Sequence, residues 1–291
     1  MKTLPPGSLI QSPVASLVLS PEAVQVHLES GRVLAARLLV AADGRQSVCR
    51  TLARRPTRRW SYPQSALVTS IAHSRPHQNV STELHRPAGP LTTVPLPGQS
   101  SSIVWVERPN EAERLSRLDD GDFARELQTR LQGLLGRIEA VGPRRIFPLE
   151  GLVAEPAGEH RLALVGEALH AFPPIGAQGL NLGFRDVASL VDALTDTRSR
   201  DPGAGAVLAT YSQSRRRDVH ASLLMVDTLD RTLFSGFLPL QLARGAGLHL
   251  ANAIPRLKQA LMQRGMGVTP DLPRLMRDAP WVRAAAASEP G

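Results

Sequence analysis

The stretch from Arg161 to Asp186 constrains this chain more than any other. It opens with RLALVG (161–166), an apolar run too short for a helix and closed by glycine, the pattern of a strand buried on both faces. Next comes a turn stiffened by Pro173-Pro174, after which glycines at 176, 179 and 183 open an apolar helix expected over about Leu180 to Leu194. Glycine lets a ligand approach the backbone closely, and the first helical N–H groups have no partner inside the helix. Such a helix start favours negative charge through its free donors and its macrodipole. Glu167, just past the strand, is placed to accept hydrogen bonds from a polyol. A strand–helix corner that uses glycine and proline for packing alone is the competing reading of any such turn. The register of Pro-Pro, Gly-x-Gln-Gly (176–179) and Asn181 is far more specific than a generic corner.

A second constellation, DGRQSVCR (43–50), follows RVLAARLLVAAD, whose nearly continuous apolar run over Val33–Ala42 predicts one strand covered on both faces. Asp43-Gly44 alone is only a turn signal. Earlier, Val14–Leu19 and Val24–Leu28 are short β-prone runs, and Glu29–Arg32 forms a turn. QSALVTSIAH, VSTELHR, LTTVPL and SSIVWVE, within 64–107, predict an antiparallel sheet. Residues 111–136 are expected to be helical, with Asp122 as N-cap of FARELQTRLQGLL, and Arg144–Leu149 is a further candidate strand. DPGAGA (201–206) is expected to be flexible. Beyond it the chain is mainly helical, with a stripe at Val219, Leu223, Val226, Leu229 and Leu233. Pro239 and Pro255 divide the last quarter of the chain into shorter helices, and the tail is expected to fray.

Composition narrows the functional classes. The net charge is +8, but the small clusters Arg54-Arg55, Arg58-Arg59 and Arg215-Arg216-Arg217 lack interleaved aromatics, so they are expected to be solvated faces and no nucleic-acid partner is expected. A single cysteine, Cys49, rules out an intramolecular disulfide or a thiolate-rich zinc site and is expected to be a small buried residue. His73, His77 and His85 lack clustered carboxylates, so no metal site is expected. Met225, Met262 and Met266 are expected to pack. No apolar run is long enough for a membrane span, and no signal peptide is evident at the N-terminus. There is neither a Walker loop nor a Ser/His/Asp arrangement, and the catalytic residues stay unassigned. That is the expectation where a cofactor carries the chemistry.

The segment GEALHAFPPIGAQGLNLGFRD resembles the second flavin-contacting motif of the flavoprotein aromatic hydroxylases, and most of all that of their ubiquinone-biosynthesis branch. A flavin suits such a helix start, since its reduced form carries negative charge along the N1–C2=O edge. The resemblance implies that Gly166 and Glu167 lie near the ribityl chain, where the broader family commonly has Asp. It also implies that Pro173 and Pro174 lie beside the isoalloxazine, within a turn that includes Gly176 and Gln178. Gly179, Leu180 and Asn181 then offer backbone groups to the pyrimidine edge. His170 lies near the ring or is structural. DGRQSVCR is similar to the family's Asp-Gly-x-x-Ser-x-x-Arg motif at Asp43, Gly44, Ser47 and Arg50, which implies contacts to FAD and an effect on the NAD(P)H donor. Weaker similarity extends to residues 85–106 and 224–267.

The fold implied is α/β with α+β: an incomplete FAD-binding Rossmann-like domain (1–60 and 151–197) interrupted by an antiparallel-sheet substrate domain (61–150), plus a C-terminal helical region (198–291). Family members begin with a strand, a G-x-G-x-x-G turn and a helix. The chain starts inside that pattern, so poor solubility or weak FAD retention is expected of it alone. The activity implied is FAD- and NAD(P)H-dependent hydroxylation, with O2, of a prenylated phenol in ubiquinone biosynthesis. The setting implied is cytoplasmic, with peripheral contact to the inner membrane and a quinone-biosynthesis complex as open possibilities. Two alternatives stand beside it: a catalytically incompetent remnant or subunit of such a complex, and a hydroxylase of a soluble phenol.

Overall fold

The computed structural model describes residues 5, 7–173, 178–197, 199–234, 247, 250, 253–259 and 272–277. The chain begins with three short antiparallel strands, β1 (Val14–Leu19), β2 (Val24–Leu28) and β3 (Val33–Ala36), in the order β1–β2–β3. Val24, Val26 and Leu28 alternate inward, as period-two patterning requires. The run read as one strand over Val33–Ala42 is two. After β3 the chain breaks at Arg37-Leu38 and re-enters as β4 (Leu39–Ala41), which belongs to another sheet. The break lets β3 answer the meander while β4 lies parallel to a distant strand. Continuous apolarity could not reveal it.

A single turn of helix, α1 (Val48–Leu52), leads into the long β5 (Thr57–His73). Then come β6 (Thr82–Leu84), β7 (Leu91–Leu96) and β8 (Ser100–Glu107), followed by α2 (Pro109–Arg117), α3 (Asp120–Leu131), β9 (Ile138–Val141) and β10 (Arg145–Ala154). The N-cap of α3 is Asp119, whose side chain accepts from the Asp122 N–H at 2.8 Å, so Asp122 sits in the first turn instead of capping it. The helix ends at Leu131, where Gln132 turns left-handed (φ 51°), and the expected continuation to 136 does not form. The rest comprises β11 (Gly158–Glu159), β12 (Leu162–Leu164), β13 (His170–Ala171), α4 (Gln178–Asp196), α5 (Gly205–Phe234) and the short α6 (Arg274–Arg277).

The chain divides into two compact units, one of Met1–Arg59, Leu152–Leu223 and Gln259–Gly291, the other of Trp60–Gly151 and Leu224–Lys258. In the second, β10, β5, β8, β7 and β6 lie side by side and β9 joins β5, with β5–β8, β5–β9, β6–β7 and β7–β8 antiparallel. Leu67 and Leu91 each face Trp105, and that face is covered by Leu115 of α2 and by Phe123, Leu127 and Leu131, one helical face of α3. In the first unit, β4 and β12 form a parallel pair extended by antiparallel β11. Leu162, Ala163 and Leu164 pack with Leu190 and Ala193 of α4 and with Val207, Leu208 and Tyr211 of α5. The buried Tyr211 hydroxyl donates to the Leu164 carbonyl at 2.6 Å. The architecture is thus the mixed α/β fold with an inserted antiparallel sheet that the sequence implied.

Several expectations for side chains are corrected. DPGAGA is pinned, because Asp201 takes two hydrogen bonds from Arg161, and α5 already starts at Gly205. Two of the arginine clusters do not simply solvate a face: Arg55 is buried against Glu159, and Arg215 is buried among carboxylates. Cys49 is buried, as expected, and its thiol is pushed up to about 12 by burial and then by the nearby Asp43 charge. Among the described residues no group of three or more His, Cys, Asp or Glu side chains could hold a metal, and no helix is long and apolar enough to cross a membrane. Pro239, Met262, Met266 and the C-terminal tail lie outside the described residues, as do the side chains of Met225, Val226, Leu229 and Leu233.

Candidate functional site

The parallel pair sets the site. Leu39, Val40 and Ala41 lie opposite Leu162, Ala163 and Leu164, and the Val165 N–H donates to the Ala41 carbonyl at 3.0 Å. Both strands therefore end together, and the segments leaving them, 43–50 and 166–170, are neighbours. Ligands of open parallel sheets bind beyond these carboxyl ends.

Asp43 organises its own corner. One carboxylate oxygen accepts the Ser47 hydroxyl at 2.5 Å and the other the Cys49 N–H at 3.0 Å. Burial works to raise its pKa, but these hydrogen bonds outweigh that and hold it below the ordinary carboxylate range. Ser47 caps α1 by accepting the Arg50 N–H at 3.0 Å. Arg50 is buried and joins the two segments: one terminal nitrogen donates to the Ala168 carbonyl at 2.8 Å and the other to the Arg45 carbonyl at 2.7 Å. Arg45 in turn reaches Glu167 at 3.2 Å, and Glu167 stays 57% exposed.

Gly166 (φ +59°) makes the turn out of β12. Its N–H donates at 2.7 Å to Asp186 of α4, and the same carboxylate oxygen lies 2.8 Å from His170 Nε2. The other Asp186 oxygen accepts from Arg215 Nε at 2.7 Å. Arg215 also donates to Asp218 at 2.7 Å, and Asp218 accepts from Arg185 at 2.8 Å. His170 stacks on Phe172, and Pro173 is buried just beyond. Gly179, Leu180 and Asn181 form the first turn of α4 with exposed positions. Pro174 and Gly176 lie outside the described residues, as does the Gln178 side chain.

A flavin nucleotide is tested against this geometry by the space above the backbone. A Cβ added at Gly44, Gly166 or Gly179 would meet nothing within 4 Å, so the chain is open to a ligand surface at all three. Glu167 supplies an exposed acceptor beside them. The residues present fit the group. Sequence reasoning missed Arg45, Asp186 and Arg215. A signal existed for two of them, since Asp186 shares a buried face of α4 with Leu182, Ser189 and Ala193, and Arg215 shares one of α5 with Leu208, Tyr211 and Val219. An acid and a base, each on an apolar stripe, predict one another, because a buried charge needs a partner.

A parallel strand pair with a glycine turn and helix at its carboxyl end, interrupted in sequence by an antiparallel sheet, is an arrangement suited to a nucleotide cofactor beyond the strand ends. The family model described as "FAD binding domain" matches residues 19–225, and the chain belongs to that family. Ubiquinone hydroxylase UbiL of Rhodospirillum rubrum is 39% identical over 264 residues, covering 89% of this chain and 62% of that protein. The ubiquinone biosynthesis monooxygenase COQ6 of Danio rerio is 32% identical, over 82% of this chain and 57% of that one. The chain thus spans about three fifths of the length of these relatives. Among solved structures, the Diels-Alderase PyrE3 (19% identity, TM-score 0.68) covers 90% of this chain and 57% of that one, and PqsL of Pseudomonas aeruginosa (24%, 0.65) covers 77% and 64%. At these identities the likeness is one of fold.

Proposed function

We propose that the chain is the larger part of an FAD- and NAD(P)H-dependent monooxygenase that hydroxylates the ring of a prenylated phenol in ubiquinone biosynthesis. The observation that carries this reading is the pairing of β4 with β12, which brings the Asp43 corner and the Gly166–Glu167 turn together with open backbone at Gly44 and Gly166. Bound there, a reduced flavin supplies the activation of O2 that ring hydroxylation needs. The protein's part is positional. Glu167 accepts hydroxyl hydrogen bonds from the ribityl chain, and Arg45 holds Glu167 in place. Gly166 and Gly179 allow close approach, and the first turn of α4 lends its dipole to the pyrimidine edge. Asp43, Gly44, Ser47 and Arg50 hold the corner rigid. The similarity at those four positions supports NAD(P)H as donor. The ubiquinone relatives support a prenylated substrate, which would reach the site from a membrane surface.

Titration of the purified chain with FAD, followed by flavin fluorescence, tests the cofactor reading. Glu167→Gln should weaken binding by about tenfold or more, the value of one hydrogen bond to a charged group. Equal affinity of the two proteins would remove Glu167 from the site. Accumulation of a quinone precursor in a deletion strain tests the substrate; growth with normal quinone would reject it.

A second reading, a subunit without catalysis of its own, is favoured by one observation. Among the described residues β4 pairs on one side only, and Val40 is 43% exposed, as are Leu180 (71%) and Phe184 (57%) on α4. FAD binding by the isolated chain decides against it.

A further inference from the structure

The candidate flavin site leaves one fully buried group without a task toward a ligand. Asp186 does not face open space, yet it is not paired merely with another side chain. One of its oxygens takes both the Gly166 N–H and His170, the two ends of the short turn that follows β12. The other takes Arg215, which is itself braced by Asp218 and, through it, by Arg185. Two carboxylates and two guanidiniums balance in charge, so the carboxylate is held against rotation without leaving a net buried charge from these four. On the opposite side Arg50 takes the Ala168 carbonyl, and the Ala154 N–H donates to the Leu169 carbonyl at 2.8 Å. The turn is thereby gripped at residues 166, 168, 169 and 170, and Glu167 is left as its exposed side chain.

We propose that Asp186, locked by Arg215, is the positioning residue of the cofactor-facing turn: it fixes the Gly166 amide and His170, and so sets the direction in which Glu167 leaves the strand. The inference rests on the flavin reading of that turn for its purpose, and on the geometry alone for its mechanics. Three single variants of the full chain test it, namely D186N, R215K and D201N. Asp201 serves as the control because its pairing with Arg161 lies at the other end of β12.

Two quantities are read: FAD affinity by fluorescence titration, and amide hydrogen exchange of the segment from Gly166 to His170. D186N should weaken FAD by roughly tenfold or more, as expected for one lost hydrogen bond involving a charge, and should speed exchange in the turn. R215K keeps the cation but cannot reproduce all three of the arginine's side-chain hydrogen bonds, so it should give the same changes in smaller amount and stands in if D186N does not fold. D201N should lower the unfolding midpoint and leave both quantities unchanged. Unaltered exchange in the turn of D186N or, if it does not fold, of R215K would overturn the proposal, and so would equal losses of affinity in D186N and D201N. If the wild-type chain takes up no FAD, the flavin reading falls, while the exchange measurement still decides whether Asp186 holds the turn.

Discussion

The two ends of β12 are built from the same materials and do opposite things. At the amino end stands Arg161, at φ +59°, and at the carboxyl end Gly166, also at φ +59°. Each end has a well-buried arginine and an aspartate. At the amino end all three guanidinium nitrogens of Arg161 are spent on protein oxygens: the Pro21 and Arg37 carbonyls and both oxygens of Asp201. That end is closed. At the carboxyl end the charges grip the backbone too, but they leave an exposed carboxylate beside glycines with free space above them. The difference lies in what is left facing outward: the amino end keeps no guanidinium nitrogen free of the protein, while the carboxyl end keeps an exposed carboxylate beside open backbone.

Substitutions can break this contrast. The largest effect is expected from Arg215→Met, which strands Asp186 as a buried, uncompensated charge and should cost about 3–5 kcal/mol in urea unfolding. Gly203→Ala, at the closed end, would drive a methyl group into the Arg37 carbonyl and the Arg161 side chain, costing about 1–3 kcal/mol, with FAD affinity unchanged. A smaller effect is expected in acid. Arg161 holds Asp201 down to about 2, below its ordinary 3.8. The stabilisation is therefore complete above 3.8 and is lost as pH falls toward 2. Asp201→Asn should remove that part of the acid dependence and leave the variant less stable than the wild type near neutral pH. The smallest effect on stability belongs to Glu167→Gln, within about 0.5 kcal/mol because the side chain is exposed, despite its expected loss of FAD affinity. A Glu167→Gln variant that unfolds easily yet binds FAD normally would erase the distinction between the two ends.

Much of this was legible in the sequence, for reasons that particular residues make plain. Short periods survive inspection: Ser101, Ile103 and Trp105 point inward by alternation, and Phe123, Leu127 and Leu131 by helical spacing. The Gly166 turn was legible because its composition is unusual enough to be specific. Three things were not legible. The split between β3 and β4 depends on which sheet each strand joins, a tertiary choice that apolar continuity hides. The cap of α3 moved to Asp119 because Asp119, Asp120 and Asp122 all suit a helix start and only geometry selects among them. The pinning of Asp201 by Arg161 was hidden because that partner lies 40 residues away and DPGAGA by itself carries only turn residues.

The hairpin between β11 and β12 turns on His160 and Arg161, both left-handed and neither glycine. Arg161 repays its backbone conformation through the contacts it makes, but the ring of His160 is largely exposed, and among the described residues its ion-pair neighbour is Glu159 at 3.7 Å. The tension kept at that position therefore has no visible return. Exchange of His160 for Asn or Gly, residues at ease with this conformation, should raise the thermal midpoint. It offers an engineer a foothold for toughening the scaffold at the end of β12 opposite the Gly166 turn.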